Sequence, residues 1–253
     1  MGDKLFVFDV GGTIRDDSYA CYMGYKLGFD KAGVAYPFDI ENVWRLRGIG
    51  KYNRSSNCVR AIIAFMKAGE KPLSALEKDD PEKYIDDLVA ARLSPDDETK
   101  ANEIISNRKD FMDTDEAIAS MKLYPRVNEA LAGMKKSGHA LAILSNIGSA
   151  EGIKKSIRGL DASVFSLILS ASEVTKKKPS GEGILKVSQT LGFSSDKVYY
   201  VGDTQVDVLA SREAGCKAVS VLTGMGTRRI LEMSRPDFIF DDIYAISKFF
   251  QSR

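Results

Sequence analysis

One stretch constrains this chain more than any other: Lys4-Leu-Phe-Val-Phe-Asp-Val-Gly-Gly-Thr13. A short apolar run, rich in β-branched and aromatic residues, ends at Asp9, and two glycines follow almost at once. This pattern predicts a buried strand from Leu5 to Phe8 rather than a helix. Asp9 is then expected at the carboxyl end of the strand, where ligands bind in open α/β sheets.

The remaining chain divides into a helical part and an alternating part. Periodicity predicts helices over 17–33, 39–47, 58–67, 81–93 and 96–112. From residue 124 onward, strands are expected at 140–144, 167–169, 198–201, 218–222 and 238–240. Helices are expected at 126–136, 150–160, 181–191 and 204–214, with a last one ending near 250. Strands separated by helices imply right-handed βαβ units and a parallel sheet.

The predicted fold is therefore α/β: a doubly wound, parallel, Rossmann-like sheet with an inserted α-helical cap domain. Residues 1–15 and 123–253 would form the sheet core, and residues 16–122 would form the helical cap. Because the insertion follows the first strand directly, the cap is expected over the carboxyl edge of the sheet.

Composition excludes several classes of function. The formal net charge of +1 gives no indication of a nucleic-acid or membrane-surface partner. No apolar run approaches about 18 residues, and the N-terminus has no signal-peptide h-region. Three widely spaced cysteines favour a reducing, cytoplasmic location over a disulfide framework. A single histidine, His139, excludes a two-histidine metal site, so carboxylates, hydroxyls and lysines would carry any chemistry.

Polar side chains follow several predicted strands: Asp9, Ser145, Asp203 with Asp207, and Lys178 from a loop. Asp9 and Asp203 can share a hard cation such as Mg²⁺ through oxygen ligands. Ser145 and Lys178 can hold phosphoryl oxygens, and the backbone N–H groups of Gly11 and Gly12 can approach the same group. A carboxylate nucleophile would form an aspartyl-phosphate intermediate.

The motifs are Phe8-Asp-Val-Gly-Gly-Thr-Ile14, Leu141-Ala-Ile-Leu-Ser-Asn146, Lys178-Pro179 and Val201-Gly-Asp-Thr-Gln-Val-Asp207. Together they resemble the four motifs of the haloacid dehalogenase superfamily of phosphohydrolases, in the branch with a helical cap after the first motif. The resemblance covers essentially the whole chain.

The resemblance implies a role for each matching residue. Asp9 would be the nucleophile, and Asp9, the Gly11 carbonyl and Asp203 would bind Mg²⁺. Asp207 would support the metal or Lys178. The phosphoryl group would be held by Ser145, Asn146, Lys178 and Gly12. The implied function is Mg²⁺-dependent hydrolysis of a small phosphorylated metabolite, by a monomer or a homodimer.

One position departs from the family pattern. The phosphatase form of the first motif has a second Asp, which protonates the leaving group and activates water, where this chain has Gly11. Three alternatives remain open. The chain could be a phosphatase with another acid or a substrate with a good leaving group, or a catalytically impaired relative that binds a phosphorylated ligand or a protein partner. It could also resemble phosphonoacetaldehyde hydrolase, in which a cap lysine forms a Schiff base; Lys51 is the candidate.

Substrate selection is expected from the cap. Its basic, glycine-rich stretch supplies the candidate contacts Arg47, Lys51 and Arg54.

Overall fold

The computed structural model describes residues 4–146 and 148–251; residues 1–3, at the start of the predicted core, and 252–253, at its end, lie outside them, as does residue 147. The strands are β1 (Leu5–Phe8), β2 (Arg15–Asp16), β3 (Lys122–Leu123), β4 (Ala140–Leu144), β5 (Leu167–Leu169), β6 (Val198–Gly202), β7 (Lys217–Val221) and β8 (Phe238–Phe240). Helices α1–α6 are Ser18–Lys31, Ile40–Arg47, Ser55–Ala68, Pro81–Arg92, Pro95–Met112 and Asp115–Ser120. Helices α7–α12 are Val127–Lys136, Ala150–Ser156, Glu182–Leu191, Gln205–Glu213, Arg228–Met233 and Ile243–Gln251.

Six strands form one sheet in the order β5-β4-β1-β6-β7-β8, and every pairing in it is parallel. The first strand lies inside the sheet, where Phe8 pairs with Ile143 of β4 and with Val201 of β6. Consecutive strands joined by helices produce this arrangement. The predicted fold class, a doubly wound parallel sheet, is confirmed.

Both faces of the sheet are covered, which explains why β1 is apolar at every position. Phe6 and Phe8 pack into the core on one face, together with residues of α7 and α12. Leu5 and Val7 pack on the opposite face with residues of α9 and α10. All four side chains of β1 are completely buried. A strand buried on both faces reads as a continuous apolar run instead of an alternating one.

The chain divides into two units. The sheet unit comprises Met1–Asp16, Lys122–Gly224 and Leu231–Arg253, and the helical unit comprises Asp17–Met121 with Met225–Ile230. In the helical unit, α1 packs against α5 through small residues. A Cβ at Gly28 would lie 2.9 Å from the carbonyl oxygen of Ile104, so glycine permits this close approach.

The structure differs from the sequence prediction in several short elements. Helix α8 ends at Ser156 rather than near residue 160, and Gly159 has a φ of +85° in the turn that follows. Helices α6 and α11 were not predicted, because each spans one or two turns and gives too few periods to detect. The antiparallel pair β2–β3 was also missed, since two-residue strands carry no alternation signal.

Candidate active site

Three of the sequence-predicted residues lie at the carboxyl ends of neighbouring strands. Asp9 follows β1, and its N–H donates to the Val201 carbonyl at 2.8 Å. Ser145 follows β4, and its N–H donates to the Leu169 carbonyl at 3.1 Å. Asp203 directly follows β6. Backbone hydrogen bonds to neighbouring strands therefore fix the main-chain positions of Asp9 and Ser145.

Three carboxylates converge at this edge, one following β1, one following β6 and one in α10. Oxygen atoms of Asp9, Asp203 and Asp207 lie within 4.8 Å of one another. The ammonium of Lys178 lies 2.8 Å from Oδ1 of Asp9 and 2.7 Å from Oδ1 of Asp207. Lys178 and Asp207 are almost completely buried, and the Asp9 side chain keeps 15% of its surface exposed. Asp9 is thus the partner that a ligand can reach.

The environment sets the charges of this group. Burial raises the pKa of Asp9 to about 6, while the ammonium of Lys178 opposes this change and the Asp207 carboxylate adds to it. Burial alone would lower the pKa of Lys178, but the carboxylates of Asp207 and Asp9 raise it well above its usual value. Lys178 is therefore a permanent cation at neutral pH.

Both oxygens of Asp207 already accept hydrogen bonds. Oδ2 accepts from the backbone N–H and the hydroxyl of Thr204, at 3.0 and 2.7 Å, which forms a capping box at the start of α10. Oδ1 accepts from Lys178. These contacts favour support of Lys178 over metal ligation for Asp207.

Asp203 lies in a cradle of two glycines. Its carboxylate packs against the backbone of Gly12, which has a φ of +75°, and of Gly224. The hydroxyl of Thr13 donates to its Oδ1 at 3.4 Å. Any side chain at either glycine would displace the carboxylate.

The backbone N–H of Gly12 and the side-chain amide of Asn146 already have protein partners, and the phosphate-binding roles of these two residues stay predictions. The N–H of Gly12 already donates to the Arg15 carbonyl at 2.8 Å. The amide of Asn146 bonds the backbone of Lys178 at both ends: Oδ1 accepts from N–H at 3.2 Å, and Nδ2 donates to the carbonyl at 3.3 Å. Asn146 therefore fixes the loop that presents Lys178.

Sequence reasoning missed a supporting chain of hydrogen bonds. The Thr223 hydroxyl, after β7, donates to the Gly12 carbonyl at 2.7 Å, and the Tyr124 hydroxyl donates to the Thr223 carbonyl at 2.7 Å. A lone Thr and a lone Tyr in loops give no sequence signal. This chain ties the glycine turn to two distant segments.

Gly11 has no side chain, so its position in the turn provides no acid or base. Its backbone forms an isolated bridge with Arg15, and its φ is not positive. The backbone conformation at Gly11 is therefore one that other residues can adopt. The single histidine, His139, directly precedes β4 and is buried, with its ring centre 5.2 Å from that of Phe6.

The three candidates in the helical unit do not form one group. The ammonium of Lys51 lies 2.6 Å from Asp86, beside a surface cavity of about 310 Å³. The guanidinium of Arg47 contacts Cys21 and the Asn53 carbonyl in the interior of the unit. Arg54 is exposed. An ion-paired lysine is a poor nucleophile, so the geometry does not favour the Schiff-base alternative for Lys51.

Comparisons with known proteins agree with this architecture. A predicted phosphoglycolate phosphatase from Haemophilus somnus aligns with a TM-score of 0.73 at 22% identity, covering 99% of both chains. A haloacid dehalogenase-like hydrolase from Streptococcus pneumoniae aligns with a TM-score of 0.65 at 20% identity, covering 98% of both. At these identities the likeness establishes the fold alone.

The family follows from the sequence match. The model of the haloacid dehalogenase-like hydrolase family matches residues 61–221, which is more than half of the chain. The chain therefore belongs to the haloacid dehalogenase-like hydrolases, as its motifs predicted.

Curated relatives match over a shorter range. The phosphoglycolate phosphatase of Salmonella typhi is 31% identical over 120 residues, or 47% of each chain, and that of Escherichia coli K12 is 28% identical over 122 residues, or 48%. The chain thus spans about half the length of the curated relatives that it matches.

Among the residues that the structure describes, no helix has the length and apolar character needed to cross a bilayer.

Proposed function

We propose that this chain is a phosphohydrolase that acts on a small phosphorylated metabolite through an aspartyl-phosphate at Asp9. The supporting observation is the contact of Lys178 with Asp9 at 2.8 Å, next to two further buried carboxylates. Such a group combines a reachable nucleophile with a fixed positive charge. Because relatives of the chain are named phosphoglycolate phosphatases, phosphoglycolate is the first substrate to test.

A divalent cation fits the donor set. Asp9 and Asp203 supply carboxylate oxygens and Gly11 a backbone carbonyl, and these are ligands that Mg²⁺ prefers. The buried negative charge of three carboxylates exceeds the single positive charge of Lys178. When bound, Mg²⁺ would neutralise charge on the transferring phosphoryl oxygens. We assign the ion to Asp9, Gly11 and Asp203.

The proposed reaction has two displacement steps. A carboxylate oxygen of Asp9 attacks phosphorus, the bond from phosphorus to the leaving oxygen breaks, and that oxygen leaves with the electron pair. Water then attacks the phosphorus of the aspartyl-phosphate, and the bond from phosphorus to the Asp9 oxygen breaks. Inorganic phosphate leaves with the oxygen of the water, the surplus proton passes to solvent, and the carboxylate is regenerated. Lys178 stabilises negative charge in both steps, and the Ser145 hydroxyl can donate to a phosphoryl oxygen. Gly11 provides no acid for the leaving oxygen, so substrates that leave as weak bases are favoured.

Phosphate release tests this proposal. The panel holds phosphoglycolate, an aryl phosphate, acetyl phosphate, sugar phosphates and phosphonoacetaldehyde, each with Mg²⁺ or with EDTA. We expect metal-dependent release by the wild type that Asp9→Asn abolishes. Release that survives Asp9→Asn would exclude an aspartyl-phosphate. No release from any substrate would instead favour a binding role, and preferred cleavage of phosphonoacetaldehyde would favour the phosphonatase alternative.

A further inference from the structure

The helical unit holds polar side chains inside its apolar core. We call them the interior polar cluster: Cys21, Tyr25, Tyr36, Arg47, Cys58 and Arg108. Nη1 of Arg47 lies 2.9 Å from the sulfur of Cys21, and the guanidinium carbon of Arg108 lies 4.5 Å from the centre of the Tyr25 ring. Cys21, Tyr25 and Cys58 are at most 1% exposed. The cluster thus places two cations in a largely apolar environment.

Neither guanidinium group, that of Arg47 or that of Arg108, has a carboxylate partner within ion-pairing distance among the residues that the structure describes. Other arginines of the same unit are paired: Arg60 with Glu98 at 2.7 Å, and Arg45 with Glu41 at 2.8 Å. Arginine in protein interiors is normally paired. The interior polar cluster therefore carries uncompensated positive charge.

Hydrogen-bond donors in the cluster are also unused. The hydroxyl of Tyr36 and the Nε of Arg108 are buried, and neither has a partner among the described residues. Buried polar groups without partners are rare in native proteins. The guanidinium N–H can only donate, and the tyrosine hydroxyl can donate, so an acceptor is the partner that would satisfy both groups.

The thiol of Cys58 does not supply the missing negative charge. Burial raises the pKa of Cys58 to about 12, despite the opposing effect of Arg47, so this thiol stays neutral. A neutral thiol beside guanidinium groups is also a poor environment for a metal cation. Arg47 and Arg108 are half-buried, so the cluster is reachable from solvent.

We propose that the interior polar cluster binds a small oxyanion, either a carboxylate or a phosphate group. The guanidinium fork matches both groups, and tyrosine hydroxyls add donors. A carboxylate is the better fit, because a monoanion loses less hydration than a dianion on entering an apolar interior. This site does not depend on phosphoryl transfer at Asp9.

Calorimetric titration of the full chain, in a metal-free buffer that contains no carboxylate or phosphate, tests the site with acetate and inorganic phosphate as separate probes. We expect Arg108→Gln and Arg47→Gln to weaken binding about ten-fold or more, since each removes charge-assisted hydrogen bonds. Arg108→Lys should weaken binding less, because it keeps the charge. The matched control is Arg60→Gln, which changes a paired arginine of the same unit and should leave the affinity unchanged. The probe that binds in the arginine-dependent manner identifies the source of the oxyanion.

Thiol labelling of the wild type gives an answer even if the arginine variants fail to fold. Saturating acetate or phosphate should slow alkylation of Cys21 and Cys58 by iodoacetamide, measured by peptide mass spectrometry. Cys216, in the sheet unit, is the internal control, and its rate should not change. The proposal is overturned if no probe binds, if binding is equal in the arginine variants, or if the probes leave labelling of Cys21 and Cys58 unchanged.

Discussion

A Cβ atom at Gly12 would lie 2.2 Å from Oδ2 of Asp203, so the backbone of the glycine turn and this buried carboxylate are in direct contact. Gly12 also has a φ of +75°, which L-residues rarely adopt. Two independent constraints therefore require glycine at this position, and they can be separated experimentally.

Gly12→Ala should destabilise the chain by about 3 kcal/mol or more and abolish phosphate release, because the methyl group displaces Asp203. Gly192→Ala is the matched control: its φ is +73°, and nothing lies within 4 Å of its Cβ. Backbone strain alone should cost about 1 kcal/mol there. Denaturant unfolding followed by circular dichroism measures both, and equal losses would show that contact with Asp203 is unimportant.

Asn146→Ala should lower the rate of phosphate release about ten-fold, because two hydrogen bonds to the backbone of Lys178 contribute about 1–2 kcal/mol to its placement. Asn128→Ala is the control, since Nδ2 of Asn128 also bonds a backbone carbonyl, that of Gly159, at 2.9 Å. The measurement is the steady-state rate of phosphate release by both variants, compared with that of the wild type. If the two variants lose activity equally, Asn146 has no special role in placing Lys178.

Gly11→Asp should restore a proton donor next to the nucleophile. A positioned acid typically contributes ~10²–10⁴-fold, and it acts mainly on leaving groups that are strong bases. We expect turnover of a sugar phosphate to rise far more than turnover of an aryl or acetyl phosphate. The ratio of the two kcat/KM values, compared with that of the wild type, is the measurement. An equal rise for both classes would contradict a missing acid at Gly11.

Asp97 should give the helical unit a pH-dependent stability. Hydrogen bonds from Lys67 and Ser94 lower the pKa of Asp97 from 3.8 to about 2. Because the pKa is lower in the folded state, the stabilisation is complete above pH 3.8 and is lost as the pH falls toward 2. Asp97→Ala should cost about 1 kcal/mol at pH 7, as expected for loss of a helix cap.

The control for Asp97 is Asp96→Ala, at the neighbouring position of the same helix. Thermal melts of the wild type and both variants between pH 7 and 2 should show the deficit of Asp97→Ala shrinking below pH 4. A deficit that stays constant over this range would contradict the proposed capping interaction.

The sequence was most informative where the signal is local. The apolar run that ends at Asp9 predicted β1 at its observed bounds, Leu5–Phe8, because both faces of this strand are buried. The polar residues at Ser145 and Asp203 were placed at strand ends by the same reasoning. The pair β2–β3 and helix α11 were not predicted, since a two-residue strand shows no alternation and a six-residue helix completes fewer than two turns.

By itself, the sequence determined the parallel α/β sheet, the family, and the side chains that gather at its carboxyl edge, because these depend on periodicity and on fixed spacing within motifs. Only the tertiary structure decided which partners those side chains have. In the structure, the amide of Asn146 bonds the backbone of Lys178, both oxygens of Asp207 accept hydrogen bonds, and neither Arg47 nor Arg108 has a carboxylate partner among the described residues. The reason is physical: hydrogen bonds and ion pairs form between groups brought together by packing, and partners far apart in the chain leave no trace in local sequence pattern.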